Sequence, residues 1–276
     1  RGRLNYPHYQ MSITKSYAAL AIGRAIQLGY LSMEDLHKPV VSFLKELDLS
    51  KLAEGADTIT LHQAMHMNSG IRLDQKAINS AKGMSLVGQG QIQAYLQNSA
   101  AIGAYPRLFK YQGADPCLTM QVLQAVVPMG AEAFIRDELL KPLGISQYYW
   151  QNDTSGYPKS AAGCSFRSRD MMKFGLLVQA KGKWKGVGFI PEAFIDVAVN
   201  PVVKAYGKSH YGYFWWVEDI DHDGKSYRVR QGRGAGGQFI YMVDDLDLIV
   251  VVTAHNKGMG DMLHRLAKKV LPAFVR

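Results

Sequence analysis

The 276-residue sequence holds only two cysteines, Cys117 and Cys164. Neither sits in a CxxC pair, and two cysteines make no disulfide framework, so the fold has to be held by its core rather than by covalent staples or a zinc cluster. Long hydrophobic runs are also missing. A membrane-spanning helix needs ~18 or more apolar residues in succession, whereas the longest mostly apolar stretch, Leu248 to Ala254, suits a buried strand. No internal repeat and no low-complexity linker divides the chain. It opens Arg1-Gly-Arg-Leu-Asn-Tyr-Pro7 with neither an initiator Met nor a charged-then-apolar leader. That start reads as a processed or truncated end and leaves the compartment illegible. No GxSxG elbow is present, and no Glu stands where an HExxH zinc motif needs it.

What is there is ordinary for a globular protein: 47% hydrophobic and 20% charged residues. The formal net charge of +9 invites an anionic partner. The basic residues are scattered, however, and their densest clusters, Lys181–Lys185 and His264–Lys269, read as a surface turn and the wet side of a helix. No nucleic-acid module accompanies them, so no nucleic-acid partner is expected.

Periodicity predicts helices over Met11–Leu28, from Ser32, over Thr60–Met67, around Gln89–Leu96, and over Leu118–Val127, Ala131–Leu140 and Arg169–Gln179. From about residue 187 the pattern changes. Tyr211–Val217 and Ser226–Arg230 read as strands, and Gln238–Val243 with Leu248–Thr253 as a hairpin turning at Asp244-Asp245. Met259–Phe274 closes as an amphipathic helix. Helices in the middle and antiparallel strands near the end imply an α/β (α+β) fold.

The chemistry starts at Ser12-Ile-Thr-Lys15. A serine hydroxyl needs a base, and a lysine amine serves once its pKa is depressed. Positions i and i+3 share a helix face, and a helix start offers backbone N–H groups to an oxyanion. Ser12 is also placed to cap that helix. The same spacing recurs at Ser42-Phe-Leu-Lys45, which lacks a helix-start context. His62 and His66 stand at i, i+4, but residue 63 is Gln, so no metal site is expected there.

Five ordered segments carry a resemblance. Met11-Ser-Ile-Thr-Lys-Ser16 resembles a nucleophile motif, and Thr58-Ile-Thr-Leu-His-Gln-Ala-Met-His-Met-Asn-Ser-Gly-Ile71 an "ITLRHLLTMTSGL" segment. Lys141-Pro-Leu-Gly-Ile145 resembles "PLGM", residues 161–175 "aGGLysTarDmarfG", and Tyr211-Gly-Tyr-Phe-Trp-Trp216 "YGyGWW". All belong to the serine β-lactamase-like superfamily, which includes class C β-lactamases, penicillin-binding proteins, family VIII carboxylesterases and 6-aminohexanoate-dimer hydrolases.

The resemblance implies a β-lactamase/transpeptidase-like fold: an antiparallel sheet flanked by helices, with a helical lobe. It implies one catalytic unit over residues 1–276, with a helical lobe at about 30–144 and an α/β lobe from about 1–29 and 145–276. It also implies an acyl-serine mechanism with no metal or organic cofactor. By resemblance Tyr111 joins Ser12 and Lys15, its phenol acidified by the lysine. The Gly234 or Ala235 N–H then completes an oxyanion hole, and Asp115 lies among the substrate-contacting groups.

Three departures stand out. Gly113 replaces an Asn, Gln231 replaces the lysine of Lys-Thr-Gly with Arg233 keeping a positive charge nearby, and only 11 residues precede Ser12 where relatives carry tens. The glycine-rich stretch at 231–238 is not a phosphate loop, since no GK[ST] follows it. The first two departures favour a small ester or amide over a β-lactam. A β-lactamase or D-Ala-D-Ala carboxypeptidase stays open as an alternative, as does a non-catalytic binding protein on the same fold. If the segment before Ser12 is truly missing, the third departure predicts an unpaired sheet edge that a homodimer could cover.

Overall fold

In the computed structural model, residues 5–73, 83–256 and 265–275 are described. The predicted C-terminal helix therefore falls partly outside the described residues. Helix α1, Ile13–Gln27, is the centre of the molecule. The spacing of its large residues suggested one buried stripe, yet Ile13 to Gly23 are all buried. The physical reason is its residue choice. Ala18, Ala19, Ala21 and Gly23 are small enough for neighbours to pack on every side, as in a helix apolar all round. A Cβ on Gly23 would stand 2.7 Å from Ile190 and Phe194.

Around α1 lie α2 (Leu61–Met65), α3 (Gly90–Gln97), α4 (Ala114–Val126) and α5 (Gly130–Phe134), the last running on as a π-helical Ile135–Leu140. The Thr60 hydroxyl and the Gln63 side chain close a capping box at the start of α2. Helices α6 (Ser168–Gln179) and α7 (Glu192–Ala198) follow. Residue Ser32 opens only a short 3-10 turn, Glu34–His37. Between residues 10 and 147 no strand occurs among the described residues.

Three short strands, β1 (His8–Tyr9), β2 (Tyr148–Trp150) and β3 (Cys164–Phe166), form a sheet in the order β1-β3-β2. At two or three residues each, they are too short to show a period. A small hairpin pairs β4 (Lys183–Trp184) with β5 (Val187–Gly188).

The main sheet comprises β6 (Val203–Lys204), β7 (His210–Tyr211), β8 (Trp216–His222), β9 (Lys225–Gly234), β10 (Gln238–Val243) and β11 (Leu248–Val252). It is antiparallel throughout, in the order β11-β10-β9-β8-β7-β6. The single strand expected over Tyr211–Val217 is split into β7 and β8. Phe214 there adopts φ 58°, its N–H donates to Met65 O, and its carbonyl accepts from the Ser16 hydroxyl.

One face of the main sheet, with Ile240 and Met242, packs into the core shared with α1 and α6. The other, with Tyr227, Val229, Phe239, Tyr241 and Val243, packs on Leu271. Alternation along β9 and β10 produces this two-sided burial.

Phe166 of β3 is fully buried, with Tyr17 of α1 at 5.1 Å and Phe174 of α6 at 5.5 Å between ring centroids. It joins the small sheet to both helices. Phe166→Ala should lower the urea midpoint by the equivalent of about 3–5 kcal/mol. A loss below about 1 kcal/mol would mean that the small sheet lies outside the cooperative core.

Candidate active site

The chain enters α1 through a strand, a sharp turn and a helix start. Gln10 leaves β1 fully buried: its N–H donates to Cys164 O at 2.9 Å, its Nε2 donates to His8 O at 2.7 Å, and its Oε1 accepts from the Tyr17 hydroxyl at 3.3 Å. Met11 then takes φ 51°, the left-handed region that a side chain disfavours. This turn sets Ser12 at the N-cap with helical dihedrals. The N–H groups of Ile13, Thr14 and Lys15 donate to Gln10, Met11 and Ser12 carbonyls, each at 3.2 Å. Against the sequence expectation, the Ser12 side chain caps nothing. Those short-range backbone bonds satisfy the first turn and leave the hydroxyl available.

That hydroxyl instead accepts a hydrogen bond from Lys15 Nζ at 3.0 Å. The amine also donates to Ala161 O at 2.5 Å, and the residue is only 4% exposed. Burial brings the Lys15 pKa down to about 8, with a smaller opposing effect from Cys117. The Lys15 Nζ stands 4.8 Å from the centroid of the Tyr111 ring.

The Ser12 hydroxyl lies close enough to Tyr111 to favour the phenolate, yet burial outweighs this and raises the phenol pKa. The acidified phenol expected from the sequence is thus corrected: desolvation outweighs both the Ser12 hydroxyl and the Arg233 charge. Phe109, Tyr206, Tyr211 and Trp216 surround this region, with the Tyr111 and Trp216 rings 5.5 Å apart.

The end of β9 passes along the first turn of α1. A Cβ at Gly234 would stand 2.3 Å from Gln10 O, so only glycine allows this approach. Gly234 is itself buried, whereas the next residue, Ala235, is exposed. Of the two positions expected to offer an N–H to the oxyanion, Ala235 reaches the surface and Gly234 does not. Ala235 and Met11 border a cleft of about 610 Å³ that also touches Tyr9, Gln238, His255 and Asn256.

Asp115 requires a second correction. It is 0% exposed, so it has no surface with which to touch a substrate. Its Oδ2 accepts from Gln112 Nε2 at 2.5 Å, and burial raises its pKa to about 6. Arg233 is likewise not a free charge. It donates to Gln231, Ser209 and Glu218, the last at 2.5 Å, and lies over Trp216.

His62 and His66 are engaged structurally: His62 Nδ1 meets the Tyr213 hydroxyl at 2.7 Å, and His66 Nδ1 meets His62 O at 2.9 Å. The sequence reading missed Gln10, the Ala161 carbonyl and Glu218. The first two act through backbone contacts that no side-chain pattern encodes, and the third pairs across strands only once the register is set.

Ser42 lies exposed and donates to Pro39 O, three residues back, far from any helix start of the α1 kind. Both cysteines are free. No single helix among the described residues is long and apolar enough to cross a membrane.

Comparisons with known proteins identify the fold and the family. A penicillin-binding protein homologue from Pyrococcus abyssi, described as octameric, superposes with TM-score 0.75 at 18% identity, over 98% of this chain and 67% of that one. A class C beta-lactamase gives TM-score 0.74 at 17% identity, over 99% and 84%. A D-stereospecific amidohydrolase from Streptomyces sp. gives 0.68 at 14% identity, over 95% and 86%. At such identities the likeness shows the β-lactamase/transpeptidase-like fold. No curated protein matches. A family model described as Beta-lactamase matches residues 7–271, nearly the whole length, and the chain belongs to that family.

Proposed function

We propose that this protein is a serine hydrolase that cleaves a small ester or amide through an acyl-Ser12 intermediate, an esterase or amidase of the 6-aminohexanoate-dimer hydrolase kind. The observation that carries this reading is the Lys15 Nζ to Ser12 Oγ contact of 3.0 Å at a desolvated lysine. Neutral Lys15 takes the hydroxyl proton as Ser12 Oγ bonds to the substrate carbonyl carbon.

The carbonyl oxygen, now an oxyanion, meets the N–H groups of Ser12 and Ala235. Neither of these has a protein partner among the described residues. Tyr111, kept protonated by burial, gives its proton to the departing alcohol or amine and recovers one from the Lys15 ammonium. The C–O or C–N bond breaks, and the acyl group remains on Ser12. Water then attacks the acyl carbon under the same base, and the acid leaves as Ser12 regains its proton.

The substrate class follows from what is missing. Gly113 and Gln231 stand where β-lactam-recognising relatives carry Asn and Lys, and Arg233 is committed to Glu218. Among the described residues, the cleft that Met11 and Ala235 border is lined by neutral and imidazole side chains.

A fluorophosphonate should add once to the intact protein, as read by mass spectrometry, and not to Ser12→Ala. An unlabelled, folded wild type would sink the hydrolase reading. With p-nitrophenyl butyrate and a penicillin run in parallel, the ester should turn over and the lactam should not; efficient lactam hydrolysis would reverse the substrate assignment. Removing the base in Lys15→Met should reduce kcat/KM by roughly 10²–10⁴-fold.

The pH profile separates the two candidate bases. A lysine lowered to about 8 loses its proton as pH rises, so kcat/KM should climb through pH 8 and level off above it. A rate still rising beyond pH 10 would instead assign the base to the Tyr111 phenolate.

A further inference from the structure

Asp115 is a buried carboxylate that the chemistry above does not use. It lies in the first turn of α4, where the helix N-terminus favours negative charge. Its Oδ2 holds the Gln112 amide, while its Oδ1 has no hydrogen-bond partner among the described residues. The hydroxyl and N–H of Ser69 lie close enough to favour the charged form, as does Arg72. Cys117 and Tyr211 are the other titratable groups close enough to sense the charge. An asparagine has the same shape and could accept from Gln112 without the expense of burying a charge. The presence of a carboxylate therefore asks for a role that depends on charge.

That role is visible in how residues 110–112 are held. On one side of Tyr111, the Lys110 N–H donates to Met67 O at 2.8 Å. On the other side, Gln112 is tied to Asp115. Met67 and Ser69 belong to one tight turn, in which Met67 has φ 59° and Gly70 φ 86°. Tyr111 is thus held between two anchors, the Lys110–Met67 bond and the Gln112–Asp115 bond, and faces Ser12. We infer that the Asp115 carboxylate is a positioning group that, through Gln112, holds the Tyr111 phenol against Ser12. Its charge-assisted bond to Gln112 is stronger than a neutral one, which is why the ionised form holds the loop and the protonated form releases it.

This inference rests on the acyl-serine reading only for its effect on rate. Burial places the Asp115 titration near pH 6, below that of Lys15. Asp115→Asn mimics the protonated state at every pH. At about pH 8 its kcat/KM should fall roughly ten- to hundredfold, with KM nearly unchanged. The ratio of variant to wild type should then return towards one below about pH 6, where the wild type is protonated too. A ratio that is constant with pH, or no loss at pH 8, would overturn the inference and leave Asp115 a packing residue.

A second readout needs no turnover. The ring ¹³Cζ signal of Tyr111, assigned by its loss in Tyr111→Phe, should shift in the wild type with a midpoint near pH 6. No such step in the wild type would equally refute the inference, even if Asp115→Asn failed to fold. A wild type that shows this step but resists fluorophosphonate would retain the positioning role and lose the hydrolase reading.

Discussion

Desolvation of the first turn of α1 is the constraint on which the rest of the site depends. Helix α1 is buried on every side, so a lysine at its third residue cannot reach bulk water. The same burial acts with opposite sign on the two titratable groups around Ser12. It lowers Lys15, whose charged form is the cation, and raises Tyr111, whose charged form is the anion. One cause therefore separates an amine that is readily neutral from a phenol that stays protonated, and the proposed mechanism uses the first as base and the second as acid. Two acceptors, Ser12 Oγ and Ala161 O, hold the Lys15 amine in place beside the hydroxyl. A lysine with no acceptors would be neutral but free to turn away from the hydroxyl.

The cationic side of the site follows the same logic. Arg233 is 8% exposed, and a guanidinium that deep must be paired. Glu218 supplies the charge, Gln231 and Ser209 take further donors, and Trp216 covers the face. The arrangement stiffens the aromatic wall beside Tyr111 and commits the Arg233 guanidinium to Glu218.

Much of this was legible in the chain, because it follows local rules. The i, i+3 spacing of Ser12 and Lys15 predicts their contact, and the alternating strands predict the β10–β11 hairpin with its Asp244 turn. What failed to show depends on tertiary burial. Asp115 looks like a polar residue near a motif, and only packing reveals that it has no exposed surface. The direction of the Tyr111 shift depends on whether desolvation or a neighbouring amine is larger, which spacing cannot weigh. The kink at Phe214 hides inside a run that reads as one strand, because the force that bends it comes from Met65 and Ser16, far away in sequence.

Gln10 shows how the nucleophile turn is kept in place despite its strained predecessor. Met11 in the left-handed region costs about 1 kcal/mol or more, and such a conformation survives only when its surroundings over-determine it. Gln10 provides that from several directions. Its amide is bound by His8 and Tyr17, its N–H by the β3 residue Cys164, and its carbonyl receives the Ile13 N–H. The same carbonyl lies where a Cβ at residue 234 would be, so the closest approach of β9 to the nucleophile is set by Gln10 as well. Strand β3, the start of α1 and the end of β9 thus meet at one buried glutamine. Moving Ser12 relative to Ala235 would require breaking that junction, which is how two segments distant in sequence are held in a fixed relation, as the proposed oxyanion hole requires.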